Sequence, residues 1–380
     1  MIFGPSSPFD FVETRMQIPD GQHKGDPLLL RDVPHFREPL EKVWDDEVVN
    51  VTILKATGAG GTTLAECAST LCGIKRPVAN LVYNVHVDSK VALQANRLFG
   101  DQWDNIPEIA AMYRDNRYDR DLIAERRCDA PDFNGVVQAA NFSNAQSIRA
   151  GVLILDELWA YKPEVFEEMK KRVTGDFPFY KIIAPTTAAQ SVEHPAHQLF
   201  EEGCRAEFHL RCPHKGCGEL IWLRLGKYSR DAYNGHHVIQ WKDEGTIHEK
   251  ASSVFLVCPW CGKKIKNTPQ NRRSKMLDGA EYVWKNPEAP VSKYSCRFTA
   301  FDVFFQPWES TLEEYLKAAE KLNLGLSEAY RDFMIKSVAI TWDGQLSSGK
   351  QDVHVSGDYD LVPFRHESLP AEIFAAPDDG

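Results

Sequence analysis

The sequence predicts an α/β protein: a mostly parallel sheet flanked by helices, with a small zinc-ribbon-like module inserted. Between residues 51 and 210, apolar runs of strand length alternate with helical patterns, and that alternation lays strands side by side with helices covering them. Residues 51–64, VTILKATGAGGTTL, pass from a β-branched strand through a glycine loop into a helix start. Two cysteine pairs, Cys212/Cys217 and Cys258/Cys261, interrupt the pattern beyond residue 210.

Size and composition bound the rest. A chain of 380 residues with 43% hydrophobic and 26% charged residues has a globular composition, large enough for one big core or two to three smaller ones. No apolar run approaches the ~20 residues a membrane helix needs, and the N-terminal MIFGPSSPFDF lacks the basic-then-apolar layout of a secretion signal, so a cytosol is expected. Nine cysteines are few and odd in number for a disulfide framework, and the two close pairs point to metal. A net charge of −10 excludes a wholly basic nucleic-acid coat, which confines any DNA contact to a local patch.

Taken in order, residues 1–50 are punctuated by Pro19, Gly21, Gly25, Pro27, Pro34 and Pro39, with Phe36, Leu40, Val43 and Trp44 spaced to face a core from a short helix. The loop after the first strand holds Gly58, Gly60 and Gly61, and Thr62 and Thr63 open the next helix. Glycines let the backbone N–H groups converge on an anion, and the helix N-terminus adds its own donors, which makes a phosphate cradle. The P-loop pattern G-x-x-x-x-G-K-[ST] fails at Gly61, where a lysine is expected. Lys55, at the strand end, reaches back over the same phosphates. By itself the segment fits a plain strand-turn-helix equally well.

Further strands are expected at 79–85, 136–140, 151–155, 181–184 and 207–210, with the aspartate-rich stretch 100–134 on the rim. The strand 151–155 ends in Asp156 and Glu157, delivering two carboxylates to the sheet edge where α/β ligands bind. In a P-loop ATPase the first holds Mg²⁺ and the second polarises the attacking water; solvated acids at a strand end are the simpler reading of the segment alone. The strand 181–184 leads into Pro185, Thr186 and Thr187, hydroxyls suited to sensing a γ-phosphate or merely to capping the next turn. The cysteine pairs, each followed by glycine and with gaps of four and two residues, have the spacing of two knuckles around one Zn²⁺. Free thiols or a redox pair are the other reading of the four cysteines, His214 is either a substitute ligand or a bystander, and Cys67, Cys72, Cys128, Cys204 and Cys296 lack such partners. Lys263, Lys264, Lys266, Arg272, Arg273 and Lys275, with no acid among them, mark either a phosphate-backbone contact or a solvated basic turn. After a strand-like run at 294–305 and Trp308, Leu312, Tyr315, Leu316, Ala319 and Leu322 make a helical stripe, and 352–380 is an acidic tail. The expected division is 1–50 as an N-terminal segment, 51–210 as the glycine-loop core, 211–290 as zinc-ribbon-like insert, 291–345 as a return strand and packing helices and 346–380 as linker or tail.

In combination, the Pro-His-Phe-Arg-Glu-Pro segment at 34–39, the glycine loop begun by Lys55, residues 141–148 before the Asp156-Glu157 strand, Pro185-Thr186-Thr187 and the first cysteine knuckle resemble the GpA-type large terminase subunit of tailed phages. The resemblance runs through the aromatic strand at 294–308 to Trp342-Asp343-Gly344 and covers most of the chain. It implies a P-loop NTPase of the RecA/ASCE-like kind that hydrolyses ATP to translocate double-stranded DNA. Lys55, at the start of the loop where this family commonly places its lysine, would hold the ATP phosphates and Mg²⁺ with Gly58, Gly60, Gly61, Thr62 and Thr63. Asp156 would bind the metal beside Thr62, Glu157 would be the catalytic carboxylate, and Thr186 and Thr187 would couple hydrolysis to DNA movement. Phe36 and Arg37 are placed for adenine by position only. The implied partners are a small terminase subunit, a portal protein and further copies of the chain, in the host cytoplasm.

Two departures qualify the resemblance. Gly58 stands where family members often carry an arginine, so the transition-state cation would come from elsewhere. The chain also ends near where an RNase H-like nuclease would begin, so a motor without nuclease activity is expected. The alternatives are a helicase-like ATPase and a zinc-ribbon nucleic-acid-binding protein with a degenerate P-loop.

Overall fold

The computed structural model describes residues 7–342, except 20, 22, 76–79, 114–124, 128–133, 148, 174–179 and 226–237. The expected tail, Asp343-Gly344 and Cys128 lie outside the described residues.

The strands are β1 (Asn50–Lys55), β2 (Leu81–Val85), β3 (Glu125–Arg127), β4 (Asn134–Ala139), β5 (Val152–Leu155), β6 (Lys181–Thr186), β7 (Ala206–Arg211), β8 (Leu220–Ile221), β9 (Ile239–Gln240), β10 (Phe255–Val257), β11 (Lys264–Lys266), β12 (Glu281–Trp284) and β13 (Lys293–Phe298). The main sheet has the order β12-β7-β13-β1-β6-β5-β2-β4-β3, with β8 added to β7. Its centre from β7 to β4 is parallel, while β12, β3 and β8 pair antiparallel. The expected alternation produces this centre. Among its described residues, the aspartate-rich stretch contributes the short edge strand β3, a helical turn at Trp103–Asn105 and a helix, Pro107–Tyr113.

Both faces of the sheet are covered, and the two-residue period of each strand sorts its side chains between them. Val152, Ile154 and Ile183 join the larger core, which includes α1 (Pro8–Arg15), α2 (Arg37–Trp44) and α3 (Gly61–Lys75). Leu153, Leu155, Ile182 and Ala184 face a second core with the helices Pro163–Val173 and Pro195–Glu201. A residue one step past Leu155 therefore points toward α3.

At the opposite end of the sheet, Lys181 is 1% exposed, and its Nζ donates to the carbonyls of Lys42, Val43 and Asp45 at 3.2, 2.7 and 2.6 Å. A strand lysine thus caps the C-terminus of α2, satisfying carbonyls a helix end leaves open and placing a cation at its negative pole.

The cysteine-bearing segment forms its own sheet, β11-β10-β9, then returns to the main sheet at β12. Arg224 and Arg297 both pair with the buried Glu207, fastening this region to β7 and β13. β13 stops at Phe298, short of the run to 305, because Asp302 accepts from the N–H and hydroxyl of Thr299 and turns the chain. The expected stripe on helix Trp308–Asn323 is rotated: Trp308, Thr311, Leu312, Tyr315 and Ala318 are buried, whereas Leu316, Ala319 and Leu322 pack only partly.

Candidate functional site

Parallel register brings the sequence signals together. Leu54 pairs with Thr186, and Ile154 with Ile183, so β1, β6 and β5 end at one edge with Lys55, Thr186 and the Asp156-Glu157 pair side by side.

The glycine loop is shaped by close contacts. Gly58 and Gly60 have φ of +72° and +83°, in the left-handed region that favours glycine. A Cβ on Gly60 would lie 2.9 Å from Cζ of Phe36. Phe36, 1% exposed, is therefore the floor of the loop. His35 beside it has its pKa lowered to about 3 by burial and is uncharged. Arg37 points elsewhere, 3.8 Å from Glu13 and 5.5 Å from the ring of Phe9. The other side of the loop is fixed by Thr57, whose N–H donates to the Lys336 carbonyl at 2.6 Å and whose carbonyl accepts from Gln306 Nε2 at 2.7 Å.

Gly61 explains the displaced lysine. A Cβ there would lie 2.1 Å from Cε, 2.5 Å from Cδ and 3.1 Å from Nζ of Lys55. The Lys55 side chain occupies the space that a side chain at 61 would need. Aligned on Gly60 and Thr62, the usual pattern has glycine at position 55 and lysine at 61, so the two residues are exchanged. Lys55 is 3% exposed and its Nζ donates to Glu157 Oε1 at 2.7 Å. α3 begins at Gly61 and presents the N–H groups of Gly61, Thr62 and Thr63, which have no intrahelical acceptor, at the same edge.

The acids occupy different environments. Asp156 Oδ2 accepts from the Tyr83 hydroxyl at 2.9 Å and the Thr62 hydroxyl at 3.3 Å, while the buried Oδ1 has no protein partner. Burial raises its pKa to about 6, against the pull of Lys55. An orphaned carboxylate oxygen next to a helix-N-terminal threonine offers two of the oxygen donors a hard divalent cation takes, the rest coming from phosphates and water. Glu157 adopts a left-handed conformation, φ 59° and ψ 46°, which costs a non-glycine residue about 1 kcal/mol and recurs at functional sites. Its N–H donates to the Pro185 carbonyl at 3.1 Å, and Oε2 accepts from Trp159 Nε1 at 2.6 Å. Burial pushes the Glu157 pKa up, but Lys55, the Trp159 indole and the Thr187 backbone together outweigh it and hold the carboxyl below its ordinary value. Thr186 is buried: its Oγ1 accepts from the Trp159 backbone N–H at 2.9 Å and donates to the Thr187 carbonyl at 2.9 Å. Sequence reasoning missed Tyr83, Trp159 and Gln306. For Tyr83 there was a signal, since a tyrosine inside an apolar strand needs a partner for its hydroxyl.

In the inserted module, the Sγ atoms of Cys212, Cys217, Cys258 and Cys261 lie within 4.8 Å of one another, with Cys212–Cys261 at 3.9 Å and Cys217–Cys258 at 3.8 Å. Tetrahedral zinc with Zn–S bonds of ~2.3 Å needs sulfurs ~3.8 Å apart, so the cluster fits it. His214 turns Nε2 toward the Lys264 carbonyl at 3.2 Å, with Nδ1 3.3 Å from Cys212 Sγ. Of the basic cluster, Arg273 pairs with Asp32 at 2.9 and 2.8 Å and Arg272 donates to the Phe304 carbonyl, while Lys264 and Lys266 point outward from β11. Among the described residues no helix is long and apolar enough to cross a membrane.

The sequence pattern of the family described as phage terminase large subunit gpA, ATPase domain, matches residues 27–284, more than half of the chain. Among solved structures, the large terminase ATPase domain of Thermus phage P74-26 is similar at 12% identity and a TM-score of 0.37, covering 76% of this chain and 87% of that one. A point mutant of the same domain gives 12% identity and a TM-score of 0.41, covering 76% and 88%. No curated protein matches.

Proposed function

The chain belongs to the gpA family of phage terminase large subunits and carries the ATPase of that DNA-packaging motor, and from that premise we propose that the β1–α3 loop and the ends of β5 and β6 form its ATP-hydrolysing site. Lys55 and the N–H groups of Gly58, Gly60, Gly61, Thr62 and Thr63 hold the triphosphate. Thr62 and Asp156 would hold Mg²⁺, which would supply charge neutralisation to the phosphates. Glu157 orients the attacking water and takes its proton as the water oxygen bonds to the γ-phosphorus and the bond to the bridging oxygen breaks, leaving ADP with that electron pair. The proton passes on to phosphate. Thr186 and Thr187 relay the change toward DNA. Phe36 supports the loop from beneath.

The observation that carries this reading is the 2.7 Å contact between Lys55, from upstream of the loop, and Glu157, from a strand 102 residues later in the sequence. Two groups that must meet around one phosphate are already together. The four-cysteine cluster holds a structural Zn²⁺, and Lys264 and Lys266 on the same module face double-stranded DNA. The ATP-hydrolysing core comprises 51–210 with β13, and the module 211–290 is accessory to it. A small terminase subunit, a portal protein and further copies of the chain complete the packaging complex in the host cytoplasm. DNA-stimulated ATPase activity tests the site: Lys55→Ala and Glu157→Gln are each expected to lose at least about a hundredfold in kcat, and full activity in both would overturn the assignment.

A further inference from the structure

The two oxygens of the Glu157 carboxylate have two different donors. Oε1 takes the Lys55 ammonium at 2.7 Å and Oε2 takes the Trp159 indole N–H at 2.6 Å. A lysine ammonium is a point charge on a flexible stem, able to exchange one anion for another, and a triphosphate is the more strongly charged competitor. An indole N–H on a rigid ring donates in one direction only. The ring is fixed by its own backbone, whose N–H is held by Thr186 Oγ1 at 2.9 Å, and by the Glu157 N–H held on the Pro185 carbonyl at 3.1 Å. Trp159 remains 37% exposed, so filling the core does not account for a large aromatic residue here.

We propose that Trp159 is a positioning residue for the catalytic carboxylate: its indole N–H is the permanent anchor of Glu157, and Lys55 is the removable one. When triphosphate draws Lys55 away, Oε1 is freed toward water while Oε2 stays fixed, so the carboxylate meets the water in one orientation. Because the backbone of Trp159 hangs on Thr186, a displacement of the β6 loop reaches Oε2 through Trp159, in addition to the direct hold of Pro185 on the Glu157 backbone. The inference rests on the reading of Glu157 as the catalytic carboxylate.

Trp159→Phe keeps the ring and deletes the N–H. In the full chain, under DNA-stimulated steady-state turnover, kcat is expected to fall about tenfold, the loss of one hydrogen bond to a charged group, with KM for ATP within about twofold. Trp159→His, which returns an N–H on a flat ring, is expected to recover part of the lost kcat; a purely structural role of the ring would not give that rescue, because Trp159→Phe keeps the larger apolar ring. A Trp159→Phe enzyme with unchanged kcat, or a Trp159→His enzyme no better than Trp159→Phe, alongside an inactive Glu157→Gln, overturns the inference alone. An active Glu157→Gln overturns the underlying assignment instead.

Discussion

Exchanging Lys55 and Gly61 back to the usual P-loop order is a sharp perturbation, because the structure ties the two positions sterically. A Cβ at 61 would lie 2.1 Å from Lys55 Cε, far inside contact distance, so Gly61→Lys alone forces two side chains into one space. Lys55→Gly alone removes the cation from the phosphates and leaves Glu157 without its 2.7 Å partner. Loss of one such preorganised charge corresponds to about 10²–10³ in kcat, or about 2.7–4 kcal/mol. In the double variant the clash is absent, and because Lys55 Nζ lies only 3.1 Å from the Cβ position at 61, a lysine stem starting there reaches the same place. DNA-stimulated kcat/KM measured around the cycle is therefore expected to show both single variants strongly impaired and Lys55→Gly/Gly61→Lys at least about tenfold better than Lys55→Gly, a recovery of about 1.4 kcal/mol, with a coupling larger than that by the cost of Gly61→Lys alone. Thermal melts keep folding separate from chemistry. A double variant no better than Lys55→Gly, or a Gly61→Lys variant as active as wild type, refutes the idea that one ammonium position is reached from two sites.

Three further outcomes follow from the geometry. The pKa of Asp156 is raised to about 6, so the folded chain holds this proton more tightly than the unfolded one; without metal its contribution to stability declines as pH rises from the ordinary carboxylate range through about 6. Mg²⁺-dependent nucleotide binding should accordingly weaken below pH 6 as the proton competes, and isothermal titration showing equal affinity at pH 5 and pH 8 contradicts it. Metal analysis is expected to give about one zinc per chain, with chelation lowering the melting temperature; less than about half a zinc per chain refutes a tight four-thiolate site. Lys181→Met strands three carbonyls at the end of α2 and removes a buried cation from its negative pole, so denaturant unfolding should show a loss of about 2–4 kcal/mol, and a loss below 0.5 kcal/mol would show that water replaces the cap.

Much of this was legible in the sequence because the chemistry is local. β-Branched runs gave the parallel strands, the acids after Leu155 marked a strand's C-terminal edge, and cysteine spacing located a cluster that folding closes to within 4.8 Å. The adjacency of Lys55 and Glu157 required the register of three strands. The partners of Asp156 and Glu157 were beyond reach for the same reason: Tyr83 is 73 residues away in sequence, and Trp159, two residues on, reaches back only because Glu157 turns left-handed. Phe36 was legible as a core-facing residue and was placed at the adenine by position only; its place as the floor of the loop was not, because that role depends on Gly60 lacking a Cβ. The helix after Trp308 was legible as amphipathic, yet its buried face includes Thr311 and Ala318, because the helix lies against elements far away in sequence.

The central claim is that triphosphate is gripped by Lys55 at the β1–α3 loop opposite Asp156 and Glu157. A structure of the chain with Mg²⁺ and a non-hydrolysable ATP analogue tests it most directly. The account predicts Lys55 Nζ about 2.8 Å from a phosphate oxygen and withdrawn from Glu157 Oε1, with Asp156 Oδ1 turned to the metal. Nucleotide bound elsewhere, with the 2.7 Å pair between Lys55 and Glu157 intact, contradicts it.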